Sequence, residues 1–365
     1  MAVLRRRDRR RDQDDGANSA TDLGLDAVGT AVLDTAEAAL GTRPDLTAGP
    51  EAVLAGAGPD AYSFELATDD PGWTGTLVAR TSDVDVLANE TAWIRALDST
   101  GYPVPEVVAD RHDDGVVVFR PPAGVNLAGC MVDDFMAVPR FLAAFGQLHA
   151  RLHALSVDEL VAAATAGNGA DGDGDGADGP DDNDDDAPLD ELLDRAAAGA
   201  VRAEVDTELT WLDKFRPGEA ADVLCHGELN PVHVYVDGSD TATAVPVNWT
   251  RTRLGPRAFD VAATVTAFWT SPLYVDGAVQ RTALKMIRDS LISAYLKAYS
   301  EASPEPLDDE ALRYWQAFHL GWLATDLARR IHDQPVGPWD PATAVPKPAE
   351  ALQDLRQRFW ELAEP

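Results

Sequence analysis

Leu224-Cys-His-Gly-Glu-Leu-Asn-Pro-Val-His-Val-Tyr-Val236 and then Val247-Asn-Trp-Thr-Arg-Thr-Arg-Leu-Gly-Pro-Arg-Ala-Phe-Asp260 are the stretches from which the fold of this 365-residue chain is read. Val232, Val234 and Val236 alternate with His233, Tyr235 and Asp237, the period of a strand with one buried face. Asp237-Gly238 suits a tight turn, and Ala244–Trp249 reads as the returning strand of a hairpin. Six polar side chains crowd the flanks of that hairpin: His226, Glu228, Asn230, His233, Asn248 and Asp260. Polar groups held on short loops beside a rigid hairpin are where chemistry is expected.

On either side of the hairpin the pattern is helical. Phe141, Phe145, Leu148, Leu152 and Leu155 recur at the spacing of one buried helix face, and Leu320, Leu323, Leu327 and Ile331 do the same near the C-terminus. Residues 25–120 instead mix one or two helices with short β-type runs such as Thr76–Arg80 and Gly115–Arg120. A strand-rich first block followed by helices enclosing one hairpin indicates an α+β chain. The expected division is a polar arm over 1–22, a β-rich lobe over 23–120 and a helical lobe over 121–365. Within the last, the Gly-, Asp- and Pro-rich stretch 167–188 is expected to be a disordered acidic insert. Asp171, Asp173, Asp175 and Asp182 mimic the first half of a calcium loop, but no bidentate glutamate closes it and no helix leads into it, so a solvated loop is expected there.

Composition narrows the function. The formal net charge is −32, from 62 acidic against 30 basic residues. The nine aspartates of the insert leave −23 on the rest of the chain, so the acidity belongs to the folded part as well. Such a surface repels duplex nucleic acid. It reads as halophilic, because self-repulsion of this size is relieved where molar salt shortens the Debye length to about 3 Å. The arginine block Arg5, Arg6, Arg7, Arg9, Arg10 and Arg11 reads as a solvated tail, with a transient contact to the acidic surface or to nucleic acid as the alternative. No run of 18 apolar residues suggests a membrane span, and no apolar run follows the arginines as in a secretory signal. Two cysteines, Cys130 and Cys225, make neither a disulfide framework nor a zinc pattern, and a cytoplasmic setting is expected.

The two opening stretches resemble the catalytic and metal loops of aminoglycoside phosphotransferases and choline kinases. The family patterns are H-G-D-L-H-P-x-N followed by three apolar residues, and I-D-W-E-x-A-x-x-G-x-x-x-x-D-L-A. His226, Gly227, Leu229, Pro231, Trp249, Gly255, Phe259 and Asp260 match at preserved spacing. Gly101-Tyr-Pro-Val-Pro-Glu-Val107, the hinge-like Phe119-Arg-Pro-Pro-Ala-Gly124 and Gly146-Gln-Leu-His-Ala-Arg-Leu-His153 resemble further family segments in the same order. The resemblance covers residues 50–270 and implies a bilobal, protein-kinase-like fold. It also implies ATP and Mg²⁺ as cofactors, with a small molecule or nucleotide as partner. It assigns Gly56, Gly58, Arg80, Glu90 and Arg120 to the nucleotide, Glu228 to the catalytic carboxylate, and His233 and Asn248 to the metal. His226 and Asp260 take structural roles in the catalytic loop.

Phosphoryl transfer is mainly positioning and charge stabilisation, so each altered residue has a definite chemical consequence. Glu228 keeps the charge of the usual aspartate but adds a methylene. His233 replaces a metal-binding asparagine, and with Asn230 it reads as the family's His and Asn exchanged. Asn248 replaces a metal-binding aspartate, and a neutral amide does not offset magnesium's charge. Pro122, or Pro121 one position earlier, lacks the N–H that a kinase-type hinge presents to adenine. The resulting expectation is a kinase-fold protein with weakened or lost phosphoryl transfer that acts by binding a small molecule or partner. The alternative is an active ATP-dependent small-molecule kinase that uses Glu228. His149 and His153 lie one helical turn apart, and without a visible third ligand they read as half-buried helix positions rather than a metal pair.

Overall fold

The computed structural model describes residues 25–53, 60–168, 187–197, 199–218, 220–238, 240–336 and 341–364. The expected N-terminal arm, and all of the acidic insert except its outermost residues, lie outside that set. Helical structure runs to Asn168 and resumes at Ala187, so the expected insert borders 167 and 188 fall inside helix ends. The described residues divide into two compact units, one built from 25–53, 60–91 and 106–121, the other from 92–105 and the described residues after 121.

The smaller unit is built on a five-stranded sheet. Its elements are α1 (Leu25–Leu40), β1 (Asp45–Ala52), β2 (Ala61–Ala67), β3 (Leu77–Thr81), the first half of α2 (Val84–Ser99), β4 (Glu106–Arg111) and β5 (Val116–Arg120). The strand order is β1-β2-β3-β5-β4, with every neighbouring pair antiparallel. Val28, Val32 and Ala36, spaced one turn apart on α1, bury against Phe64, Leu77, Ala79, Val116 and Val118. Alternation along β3 then turns Arg80 to the face opposite Leu77 and Ala79. Both expected strand runs are present, each beginning one residue later than the sequence pattern suggested.

The larger unit is mostly helical. Its elements are β6 (Val125–Asn126), α3 (Leu127–Asp133), α4 (Val138–His153), α5 (Val157–Asn168), α6 (Ala187–Arg195), α7 (Gly199–Lys214), β7 (Asp222–Cys225), β8 (Val234–Asp237), β9 (Asp240–Pro246), β10 (Arg253–Pro256), α8 (Arg257–Thr270), α9 (Ala278–Ala302), α10 (Asp309–Ile331), α11 (Pro341–Ala344) and α12 (Pro348–Ala363). Most of both anticipated helix faces is buried, Phe141, Phe145, Leu148 and Leu152 on α4 and Leu320, Leu323 and Leu327 on α10, while Leu155, past the end of α4, and Ile331 are half-buried. Asp308 caps α10 by accepting the Ala311 N–H at 2.7 Å. The α4–α9 crossing is close: a Cβ on Gly146 would lie 2.7 Å from the Tyr299 nitrogen and 2.9 Å from the Tyr295 carbonyl oxygen, so only glycine fits.

The hairpin β8–β9 is antiparallel, with β6 on the other side of β8. Its open end is shorter than the alternation suggests, whereas at the turn end β9 begins at Asp240, four residues before the expected Ala244. Pro231–His233 forms a 3-10 turn, which delays β8 to Val234. Asn248 takes φ +68°, a left-handed conformation that extended chain excludes, so β9 stops at Pro246 instead of Trp249. No helix among the described residues is long and apolar enough to cross a membrane.

Candidate functional site

The site is assembled around Asp260, which is fully buried in the first turn of α8. Its Oδ2 accepts the backbone N–H of His226 at 2.7 Å and its Oδ1 accepts that of Gly227 at 2.8 Å. Gly227 has φ +82°, and a Cβ there would lie 2.3 Å from the Arg251 carbonyl oxygen, so the loop packs directly on the backbone of the second motif. The same Oδ2 accepts from Nε2 of His149 at 3.0 Å and from Nε2 of His153 at 3.2 Å. A carboxylate only accepts, so both rings present N–H at Nε2 and a lone pair at Nδ1. The hydroxyls of Tyr295 and Tyr299 fill those lone pairs at 2.7 and 2.8 Å.

Sequence spacing offered no third group for the two histidines, and both read as half-buried. The fold supplies Asp260 from more than a hundred residues away, and both rings are buried on α4. Their ligand atoms and a carboxylate oxygen of Asp260 lie within 4.8 Å of one another, the spacing of a metal cluster, yet each is already hydrogen-bonded. Burial works to raise the Asp260 carboxyl, but the two imidazoles outweigh it and hold it well below the usual carboxylate range. Burial is the leading cause that pushes His153 down to about 4. His226 is also lowered to about 4 by burial, donating from Nε2 to the Val247 carbonyl at 3.1 Å, with its ring tilted against that of Trp249 at 4.6 Å between centres.

The two positions that the resemblance assigns to a metal hold each other. His233 Nδ1 donates to the Glu228 carbonyl at 2.8 Å, which leaves Nε2 as an acceptor. That acceptor faces Nδ2 of Asn248 at 3.4 Å, and Oδ1 of Asn248 accepts the Thr250 hydroxyl at 3.1 Å. Asn230 turns inward, with its amide on the Glu228 carbonyl at 3.2 Å and its Oδ1 on the Val232 N–H at 3.0 Å. The cluster is therefore neutral, buried at His233 and Asn248, and satisfied from within. It offers magnesium neither the charge nor the set of oxygens that this hard cation selects.

Glu228 points elsewhere. Its side chain is 31% exposed, and one carboxylate oxygen lies 3.7 Å from Nε of Arg251. Burial raises the Glu228 carboxyl, but Arg251 and the rings of His233, His226 and His319 more than offset this and keep it ionised below its ordinary value. The guanidinium carbons of Arg251 and Arg195 lie 5.9 and 5.6 Å from the centre of the Trp322 ring. Arg195 is also ion-paired to the buried Asp326.

In the smaller unit, Arg80 and Glu90 form a buried ion pair with Nε 3.1 Å from Oε2. Arg120 is engaged in local structure. It pairs with Glu106 at 2.9 Å and donates to the carbonyls of Thr74, Pro71 and Gly72 at 3.2, 3.3 and 2.8 Å, tying down the turn before β3. Gly56 and Gly58 lie outside the described residues.

The model of the phosphotransferase enzyme family matches residues 51–308, more than half of the chain. The chain belongs to that family. Among solved structures, this phosphotransferase-family chain is similar to a Ralstonia eutropha JMP134 protein provisionally assigned as an aminoglycoside phosphotransferase, at 16% identity and a TM-score of 0.59 over 91% of this chain and 98% of that one. It is also similar to a choline/ethanolamine kinase family protein from Mesorhizobium loti, at 17% identity and a TM-score of 0.51 over 87% and 90%. A third likeness is to the amicoumacin kinase hAmiN, seen with AMP-PNP, Ca²⁺ and Ami, at 13% identity and a TM-score of 0.50 over 94% of each chain. These likenesses establish a protein-kinase-like fold. No curated protein matches the sequence significantly.

Of the groups near Glu228, sequence reasoning named Trp322 as a candidate pocket residue more often met in a core, and missed Arg251 and Arg195. Arg251 occupies an unspecified position of the second motif, and Arg195 and Trp322 belong to helices outside it. The one available signal was Arg251 itself, a cation between two motif residues in a chain poor in basic groups.

Proposed function

We propose that this phosphotransferase-family chain has lost, or greatly weakened, magnesium-dependent phosphoryl transfer, and that it acts by binding a small molecule at Glu228. The hydrogen bond between Asn248 and His233 is the observation that carries this reading. Both positions where family members would hold the metal contribute neutral groups whose polar atoms engage one another. Binding there would have to displace that network and leave the phosphate charge uncompensated. The prolines at 121 and 122 add to it, since neither has an N–H for adenine. The excess of negative charge argues against a nucleic-acid partner.

A second reading, an active small-molecule kinase, draws support from two features. Glu228 stays ionised beside Arg251, and the Arg80–Glu90 pair is intact. Calorimetry with ATP, with and without Mg²⁺, in molar potassium chloride separates the two readings when joined to phosphate-transfer assays on sugars, amines and alcohols. The expected result is no gain in ATP affinity from Mg²⁺ and turnover far below the ~1–100 s⁻¹ of kinases. Micromolar magnesium-dependent affinity with turnover near ~1 s⁻¹ would establish the kinase instead.

A further inference from the structure

The Arg251 side chain is 48% exposed, and its only charge partner among the described residues is Glu228, reached through Nε. Neither of its terminal amino groups makes a hydrogen bond among those residues. The guanidinium is nonetheless held in place, with Nε at Glu228 and its carbon 5.9 Å from the Trp322 ring centre. Arg195 lies against the same indole, and Arg253, the next arginine along, pairs with Glu191 at 3.5 Å. A planar fork with free donors, fixed at its base, matches the two oxygens of a carboxylate or phosphate. Arg251 and Arg195 thus bring two guanidinium groups to one indole in a chain with a net charge of −32.

We propose that the small molecule taken at Glu228 carries a hydroxyl and an anionic group, with Glu228 accepting from the hydroxyl and the fork of Arg251 gripping the anion. This rests on the reading that Glu228 faces a hydroxyl-bearing ligand. Glu228 and Arg251 are 3.7 Å apart, so the hydroxyl stands on a carbon close to the anionic group, as in a hydroxy acid or a phosphorylated polyol. The anion also answers an electrostatic need: Glu228 alone would repel it, and Arg251 turns that repulsion into orientation. A cationic ligand would meet the exposed guanidinium of Arg251 unfavourably, so amines and quaternary ammonium compounds are disfavoured at this site.

The test is calorimetry on the full chain in one fixed high-salt buffer, with glycerate, glycerol 3-phosphate, glycerol and choline as probes. Glycerate or glycerol 3-phosphate should bind, glycerol and choline should bind at least tenfold more weakly, and the stronger anion identifies carboxylate or phosphate as the source. Arg251→Gln should weaken anion binding at least tenfold. Arg251→Lys, which keeps the charge but loses the fork, should fall between. Arg288→Gln, a control on the distant Trp269 ring, should leave binding unchanged, and melting midpoints confirm that each variant is folded. Equal binding of glycerol or choline, anion affinity that survives Arg251→Gln, or binding of none of the four overturns the proposal. Failure of the parent reading looks different: magnesium-dependent phosphate transfer to a probe would sink that reading while Arg251 dependence of binding still supports this one.

Discussion

Asn248 and His233, fifteen residues apart, meet through Nδ2 and Nε2 at 3.4 Å, so the two positions the family gives to a metal are partners of each other. Their replacements are therefore coupled, and neither reversion alone is enough. Asn248→Asp alone would place a carboxylate against the His233 lone pair, and His233→Asn alone would leave the site neutral. The double variant Asn248→Asp/His233→Asn restores one charge and one amide oxygen. Calorimetry should show magnesium-dependent ATP affinity at least tenfold above that of the parent chain in the double variant and not in either single one. An equal gain from Asn248→Asp alone would show that the pair is not coupled.

Asp260 holds two backbone N–H groups and two imidazoles, so removing it orphans several buried donors at once. Each unsatisfied donor costs about 1–3 kcal/mol. Asp260→Ala should therefore lower stability by several kcal/mol in denaturant unfolding. Glu228→Ala, at a partly exposed side chain with one long ion pair, should stay within about 1 kcal/mol. Equal losses for the two variants would contradict the buried anchor described here.

The motif spacing made Glu228, His233, Asn248 and Asp260 legible because the family's loops are contiguous in sequence. The alternation of Val232, Val234 and Val236 exposed the hairpin for the same local reason. What stayed hidden depends on distant chain segments. His149 and His153 reach Tyr295 and Tyr299 because Gly146 lets α4 approach α9, and they meet Asp260 from α8 more than a hundred residues away, packing facts with no periodicity of their own. Arg120 matched a hinge position by alignment, but its guanidinium was claimed by the Pro71–Thr74 turn, which no motif announces. The strand limits moved because Pro231 and Asn248 set backbone dihedrals that side-chain alternation does not register.

His153, His226 and His319 are each lowered to about 4, with burial the leading cause. The unfolded chain takes up these protons near pH 6.5 while the folded chain refuses them until about 4. Between those limits the unfolded state binds more protons, so stability rises with pH and is lost as pH falls through the window. Each such histidine contributes up to about 1.4 kcal/mol per pH unit there. Melting midpoints in molar potassium chloride should fall steadily from pH 6.5 to 4.5. His319→Gln keeps a donor for the Phe259 carbonyl, now met at 3.0 Å, and should flatten part of the slope. A midpoint independent of pH across this window would refute the assignment.

Salt dependence is the widest consequence of the sequence. The 62 acidic residues are opposed by only four lysines and 26 arginines, which leaves a net charge of −32. Several arginines are committed inward, as at Arg80–Glu90 and Arg195–Asp326, while the lysine pairs Lys297–Glu301 and Lys347–Glu350 are exposed and worth little. Long-range repulsion is thus left to the solvent ions to screen. The Debye length falls from about 10 Å at 0.1 M salt to about 3 Å at 1 M, so most of the relief comes early in a salt titration. The melting midpoint should climb steeply up to about 1 M potassium chloride and then level. Potassium sulfate at matched ionic strength should give the same early rise if screening is the cause, with extra stabilisation only at high concentration, where sulfate is excluded from the surface. A flat midpoint, or one highest in dilute buffer, would show that the folded chain tolerates its charge without salt.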